Sequence, residues 1–442
     1  MSDPKKLQVK VKDGDAARHG TDKAGAILRP LLAMGPVRRC YAILLLALCT
    51  AFGPLCTDMY LPALPDIAKD LNISTAFAQA SITACLLGLA LGQLFMGPVS
   101  DGRGRRGPLI FSLALFTVSS GLCSVMQDGY SFLALRFCMG LGGAGGIVLA
   151  RAICCDSYQG SALTRFMSLL MAIHSVGPIL GPVIGGFVAG AAGWRAVFWL
   201  LAAVGVFLTV SCFFILPETP APKDRVPGGV AASFKNAGRL FRQSAFLCYC
   251  GQQGFTMGGF FAYISSSPFI FQKIYGFSVE GFSFIFGINA IGITLFTLLA
   301  GLLSKRFSDR GILAWSEVLH ALGCYAVLVV AWFLPPSPTA MLVSIFVMLG
   351  LQGITMTCSF TLAISAQSVG AGAASGILGV AVFIFGSITS PLAGLAGPLS
   401  AMPLGIIASV TGTFSLVLSL VGNHLFESSP GRVNARAMLG EK

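Results

Sequence analysis

The chain has very little charge. Only 10% of its 442 residues are Asp, Glu, Lys or Arg, against 55% hydrophobic residues, and no water-soluble domain of this length could cover its surface with so few ionised side chains. Lipid must therefore be its main solvent. The chain also lacks the short signatures of nucleotide-driven or hydrolytic chemistry. It has no GxxxxGK[ST] loop, no HExxH, and no credible nucleophile with a base, so nothing points to an enzyme. Its thirteen cysteines show no metal-type pair spacing. Cys49, Cys85, Cys138 and Cys324 lie within apolar runs and read as small buried apolar residues, not as a disulfide or zinc framework. No metal and no organic cofactor is expected.

What the chain has in abundance is long apolar runs. A bilayer core about 30 Å thick takes roughly 20 apolar residues per helix. Runs of that kind occur at 41–63, 76–97, 108–126, 130–153, 164–192, 196–216, 245–270, 280–303, 312–334, 340–363, 373–397 and 403–422. The expected fold class is an all-α membrane protein with twelve transmembrane helices. Six runs precede the polar stretch 217–244 and six follow it. The expected organisation is a disordered tail (1–39), a six-helix bundle (40–216), a central loop (217–244), a second six-helix bundle (245–424) and a C-terminal tail (425–442). The loop carries Pro217, Pro220, Pro222 and Pro227, then Phe234 to Phe241 with basic residues between, consistent with a short interfacial helix.

The net charge of +12 could suggest a nucleic-acid partner, but the charges sit at the ends of the apolar runs. With both termini in the cytoplasm, 25 of the 29 Lys and Arg fall inside and only Lys69, Arg195 and Lys273 outside, with Arg136 within a span. That bias is the positive-inside pattern; the basicity sets topology, and no nucleic acid is expected. The tail has no short apolar stretch with a cleavage site, so it does not read as a signal peptide. Met34, just before Arg38 and Arg39, is an alternative start that N-terminal sequencing would test.

Weak internal similarity points to duplication. GPVSDGRGRRG (97–107) recurs in degraded form as GLLSKRFSDRG (301–311), and HSVGPILGPVIGG (174–186) is matched by GSITSPLAGLAGP (386–398). Two bundles of the same orientation with a central site between them describe a known transporter architecture. The first of these segments resembles the cytoplasmic loop signature of the major facilitator superfamily, through Gly97, Asp101, Gly104, Arg105 and Arg106. ALRFCMGLGG (134–143) resembles its fourth-span signature through Arg136, Gly140 and Gly142, with Met139 where glutamine is usual. GPILGPVIGG (177–186) resembles the fifth-span antiporter signature, through Gly177, Pro178, Gly181, Pro182, Gly185 and Gly186. TDMYLPALP (57–65), GLALGQLFMGPVSDGRGRR (88–106) and ARAICCD (150–156) narrow the resemblance to drug:proton antiporters of the bicyclomycin/chloramphenicol-resistance type. It implies a monomeric exporter of small lipophilic drugs or metabolites across a bacterial inner membrane, with H+ as coupling ion and the loop cluster latching the halves on the cytoplasmic side.

Charges buried in a membrane are costly and usually functional, so Asp58 and Arg136 come first. At 1.5 Å per residue Asp58 lies roughly 25 Å into the first span and Arg136 about 8 Å from the outer edge, so both sit in the outer third. Burial there disfavours a charged carboxylate and a nearby arginine favours it, an opposition suited to reversible protonation. Asp58 is the expected proton carrier; the alternative is a cap on the wet outer mouth of the span. Arg136 is permanently charged, and would tune that acid or bind a polar part of the cargo, or else snorkel outward. His174 reads as a buried neutral histidine or a proton relay. Glu317 reads as a snorkelling residue near the cytoplasm, and Arg151 with Asp156 as a gate or topogenic pair. Tyr60, Gln93, Phe260, Phe261, Tyr263, Asn289 and Phe383 are candidate cavity residues for an amphipathic cargo, although aromatics at helical spacing are more often packing. A proton-coupled importer and a non-transporting membrane receptor are the competing readings.

Overall fold

A computed structural model describes residues 31, 34–158, 160–219, 238–333, 337–367, 371–397 and 399–426. Most of the expected tails and of the central loop lies outside them, and the first helix already begins at Pro36, within the tail expected at 1–39. The described chain is helical throughout. The first span, Pro36–Asp70, is broken into α1 (Pro36–Thr50), α2 (Phe52–Asp58), a 3-10 turn (Leu61–Ala63) and α3 (Leu64–Asp70). Pro54, Pro62 and Pro65 account for the breaks, since each removes a backbone donor and crowds the preceding turn. The rest of the first half comprises α4 (Thr75–Arg103), α5 (Arg106–Cys123), α6 (Gly129–Ser157), α7 (Gly160–Ala192) and α8 (Trp194–Ile215). The second half comprises α9 (Ser244–Phe269), α10 (Val279–Leu303), α11 (Asp309–Phe333), α12 (Pro338–Ala366), α13 (Ala371–Leu392) and α14 (Met402–Leu425).

Nine of these segments are long and apolar enough to cross a membrane among the described residues. The helices α7, α9 and α13, of 33, 26 and 22 residues, occupy the three remaining expected places. Starts are set by local chemistry. The side chains of Ser74, Asp128, Ser278 and Ser337 accept from backbone N–H groups of the first turns of α4, α6, α10 and α12, satisfying donors that the helix cannot. Large apolar side chains such as Phe111, Trp199, Phe214, Leu298, Trp315 and Trp332 are exposed all around. A surface of that kind is stable only against lipid.

Helices approach closely where side chains are small. A methyl group on Gly140 of α6 would come within 2.1 Å of the Cys85 carbonyl on α4, and one on Gly142 within 2.6 Å of the backbone of α5. The two fourth-span glycines thus clamp α6 against two neighbours at once. The halves meet along α4 with α13 and α7 with α10. The Thr83 hydroxyl donates to the Ser387 carbonyl at 3.0 Å, the Ser390 hydroxyl to the Gln79 carbonyl at 3.2 Å, and Gln272 to the Pro62 carbonyl at 2.7 Å. These bonds lie toward the N-terminal end of α4 and the C-terminal ends of α9 and α13. Gln93 lies deeper on the same seam, with its Oε1 2.8 Å from where a Cβ on Gly379 would be.

Candidate functional site

Asp58 is the last residue of α2 and is only 4% exposed. Its Oδ1 is enclosed and has no hydrogen-bond partner. Around it the fifth-span motif supplies the opposing wall. Gly177 of α7 faces Pro54, Gly181 faces Asp58 with 3.8 Å to its Cβ, and a Cβ on Gly185 would meet the Met59 carbonyl at 1.7 Å. Gly186 turns instead to Ser283 of α10, in the other half. Pro178 and Pro182 lie inside the same helix, where each leaves a carbonyl without its intrahelical donor. The motif therefore seats the Asp58 segment on one side and the second bundle on the other. Four residues beyond Asp58, Pro62 accepts the cross-half bond from Gln272.

Arg136 is fully buried. It donates through Nη2 to the Cys56 carbonyl at 2.7 Å and through Nη1 to the Met139 sulfur at 3.1 Å. Its guanidinium lies over the Tyr60 ring, 4.0 Å from the centroid, with Phe198 at 5.8 Å, and the Tyr60 hydroxyl bonds Ser81 at 2.8 Å. Met139, at the position where glutamine is usual, is thus a partner of the arginine. Direct pairing of the carboxylate with the arginine, expected from their equal depth, is not formed: among the described residues no ion pair joins them. Arg136 is instead held by the Cys56 carbonyl, the Met139 sulfur and the Tyr60 face, and its Nε has no hydrogen-bond partner. Snorkelling is likewise excluded by complete burial.

The loop cluster is built around Arg105. It pairs with Asp101 at 2.5 Å and with Asp156 at 3.0 Å, donates to Ser100 at 2.6 Å, and its backbone N–H donates to the Thr219 carbonyl. Burial works against its charge, but Asp156 and Asp101 outweigh it and hold Arg105 more firmly protonated than usual. The Arg106 backbone N–H donates to Glu218, and its guanidinium donates to the Phe213 carbonyl. Gly104 adopts φ +93°, which ends α4 in a conformation that side chains disfavour, whereas Gly97 has ordinary space beside Val148. Among the described residues each of these partners belongs to the first bundle or its immediate extension, so the bonds seen there tie the cluster to its own half. Asp156 pairs with Arg105 and not with Arg151, whose Nε is buried without a hydrogen-bond partner.

Of the candidate cavity residues, five converge. Phe260 lies 5.7 Å from Phe261 and 6.4 Å from Tyr263, Phe261 lies 6.2 Å from Phe383, and Asn289 donates to the Tyr263 hydroxyl at 2.9 Å. Tyr60 stands apart under Arg136. The side chain of His174 lies outside the described residues. Glu317 corrects the sequence reading outright: it is 0% exposed and bonded to Gln252 and Ser415. A snorkelling chain needs a path to water, and neighbouring helices close it. Glu317 and His320 at i, i+3 within a span were the signal that could have identified this cluster.

A family model described as Major Facilitator Superfamily matches residues 46–394. The chain is 38% identical over 369 residues to the uncharacterized MFS-type transporter YdgK of Bacillus subtilis (strain 168), covering 83% of this chain and 91% of that one. It is 30% identical over 392 residues to multidrug resistance protein MdtL of Escherichia coli O157:H7 (strain EC4115 / EHEC), covering 86% and 93%. It is 31% identical over 268 residues to a bicyclomycin resistance protein homolog of Haemophilus influenzae, covering 61% and 66%. Among solved structures, a bacterial homolog of the human lysosomal transporter Spinster superposes with TM-score 0.70 at 18% identity, over 90% of this chain and all of that one. Two bundles of lipid-facing helices, a motif loop tied by Arg105 and a glycine wall around an enclosed aspartate thus accompany a family match over most of the length: the chain is a multi-pass membrane transport protein, not an enzyme, and belongs to the Major Facilitator Superfamily.

Proposed function

We propose that this protein is a proton-coupled exporter of small amphipathic drugs or metabolites, acting as a monomer by alternating access across a bacterial inner membrane with both termini in the cytoplasm. One observation carries the reading: Asp58 is enclosed with an unpartnered carboxylate oxygen at the seam between the bundles. A carboxylate cannot stay ionised and incompletely bonded in such a place without cost, and taking up a proton removes that cost. Protonation there would change how α2 sits on the α7 glycine wall and so which face the seam opens toward. Arg136 acts as a fixed positive pole that holds Tyr60 and the end of α2 in place. The converging aromatics of α9 and α13, with the Asn289–Tyr263 bond, offer an apolar surface with one polar handle, which suits amphipathic cargo of varied shape. The names of the relatives in Escherichia coli and Haemophilus influenzae support a drug as cargo.

The test is expression in a pump-deficient strain against a panel of antibiotics, followed by drug-stimulated proton release from inverted vesicles. Resistance with drug-dependent proton movement is the expected result, lost in Asp58→Asn. Proton-driven efflux at full rate in the Asn variant would remove Asp58 from the scheme, and drug uptake in place of export would make the protein an importer.

A further inference from the structure

The second bundle encloses an ionisable pair that the reading above does not use. Glu317 and His320 lie on one face of α11, 0% and 3% exposed, with Nδ1 of the histidine 3.9 Å from Oε2 of the glutamate. Each carboxylate oxygen has a neutral donor: Gln252 of α9 bonds Oε1, and the Ser415 hydroxyl of α14 donates to Oε2 at 3.0 Å. Thr256 joins the same network, 2.7 Å from Ser415 and 3.1 Å from the Gln252 amide. On the far side of the imidazole, Nε2 lies 3.8 Å from the Cys324 sulfur. Two enclosed polar atoms lack a hydrogen-bond partner, His320 Nδ1 and Gln252 Oε1.

Among the described residues the pair meets from α9 and α14 the neutral groups Gln252, Thr256 and Ser415, and on α11 the remaining titratable neighbour is Cys324. From α12 the side facing α11 at this level is Met348, packed on Gly323. The nearest fixed cation along α11 is Arg310, two turns earlier and about 10 Å away along the axis. Without a permanent cation, charge balance depends on protons. With one proton shared between carboxylate and imidazole, the site is net neutral, whichever of the two holds it. Adding a second proton leaves an uncompensated cation, whereas removing the shared one leaves a carboxylate that keeps its two neutral donors, Gln252 and Ser415, so loss of the proton is the less costly change.

We propose that Glu317 and His320 form a second proton-binding site, enclosed in the C-terminal bundle and separate from Asp58, that holds one shared proton. The unpartnered His320 Nδ1 is the atom poised to take or give that proton across the gap to Oε2. Exchange then alters the polar contact that ties α9, α11 and α14 together.

The site can be tested without transport, so its failure and that of the Asp58 scheme are distinguishable. The full chain in lipid nanodiscs is titrated from about pH 5 to pH 9, where imidazole ordinarily changes charge, while the carboxyl infrared bands and net proton uptake are recorded. The expected result is a pH-dependent carboxyl band that persists in Asp58→Asn, disappears in Glu317→Gln together with one proton of uptake, and moves by about one pH unit or more in His320→Gln. A band indifferent to His320→Gln, or proton uptake equal in wild type and Glu317→Gln, would reduce the cluster to a hydrogen-bonded strut and overturn the proposal. Should Glu317→Gln fail to fold, His320→Gln, which keeps both hydrogen bonds to Glu317, decides it alone.

Discussion

Two enclosed carboxylates, one in each bundle, are treated in opposite ways. Glu317 has both oxygens bonded by donors from two other helices of its own bundle, so its surroundings form one packed unit. Asp58 has one oxygen unpartnered and sits where α2 meets the α7 glycines, close to the contacts Gly186–Ser283 and Gln272–Pro62 with the second bundle. A saturated carboxylate is held by its donors, whereas an incompletely bonded one gains from any change that brings a donor or a proton. The comparison teaches that burial alone does not identify a coupling residue. What distinguishes Asp58 is enclosure without satisfaction, at a boundary between bodies that can move.

Neutralising each acid in turn separates the two roles. Asp58→Asn is expected to reduce proton-coupled efflux by at least about 100-fold, the scale of losing a proton-transferring group, at normal abundance in the membrane. Glu317→Gln is expected to leave more transport than that but to lower thermal stability, measured by melting of the solubilised protein. Second in size is Arg136→Ala. Removing a cation stacked on Tyr60 and bonded to the Cys56 carbonyl should cost about 3 kcal/mol of stability, with Arg136→Lys intermediate because it keeps the charge and loses the planar stack.

The glycine wall gives a finer contrast. Gly185→Ala should impair transport and stability strongly, because its methyl would strike the Met59 carbonyl, while Gly181→Ala, with 3.7 Å of room to its nearest neighbour, should be tolerated. Equal effects in a transport assay would mean that the wall does not seat the Asp58 segment. In the loop, Asp156→Asn should cost more than Asp101→Asn, since Asp156 ties α6 to Arg105 across elements while Asp101 is an i, i+4 partner on the same helix end. The smallest effect concerns Asp128, which caps α6 and is held below its ordinary range mainly by the Ser131 backbone N–H. A carboxyl lowered in the folded state stabilises above its unfolded value of about 3.9 and loses that contribution as pH falls through the folded one. The melting difference between wild type and Asp128→Ala should therefore vanish on acidification.

Much of the fold was legible in the sequence. Most expected runs and observed helices coincide within about five residues, as at 280–303 against Val279–Leu303, because in lipid each backbone group must be satisfied within its own helix and apolar length marks a span; the first two are longer than read, Pro36–Asp70 against 41–63 and Thr75–Arg103 against 76–97. Single-residue burial was legible where the residue type made it costly, as for Asp58 and Arg136. Partners were not. Sequence depth placed those two at one level, and the structure gave Arg136 to Tyr60, Cys56 and Met139. It gave Asp156 to Arg105 and enclosed Glu317, which lies near a span end and has polar partners from helices 65 and 98 residues away in the chain.

From sequence alone it follows that the chain is a bundle of lipid-embedded helices, about where its spans lie, and that Asp58 and Arg136 are within them. Which ionisable groups are satisfied and which are not follows from the packing, because hydrogen-bond partners and stacking faces come from helices distant in the chain. How they meet depends on the rotation and close approach of each helix, set by contacts such as Gly185 on Met59 and Gly140 on Cys85. Hydropathy records how deep a residue lies, but not which way it faces.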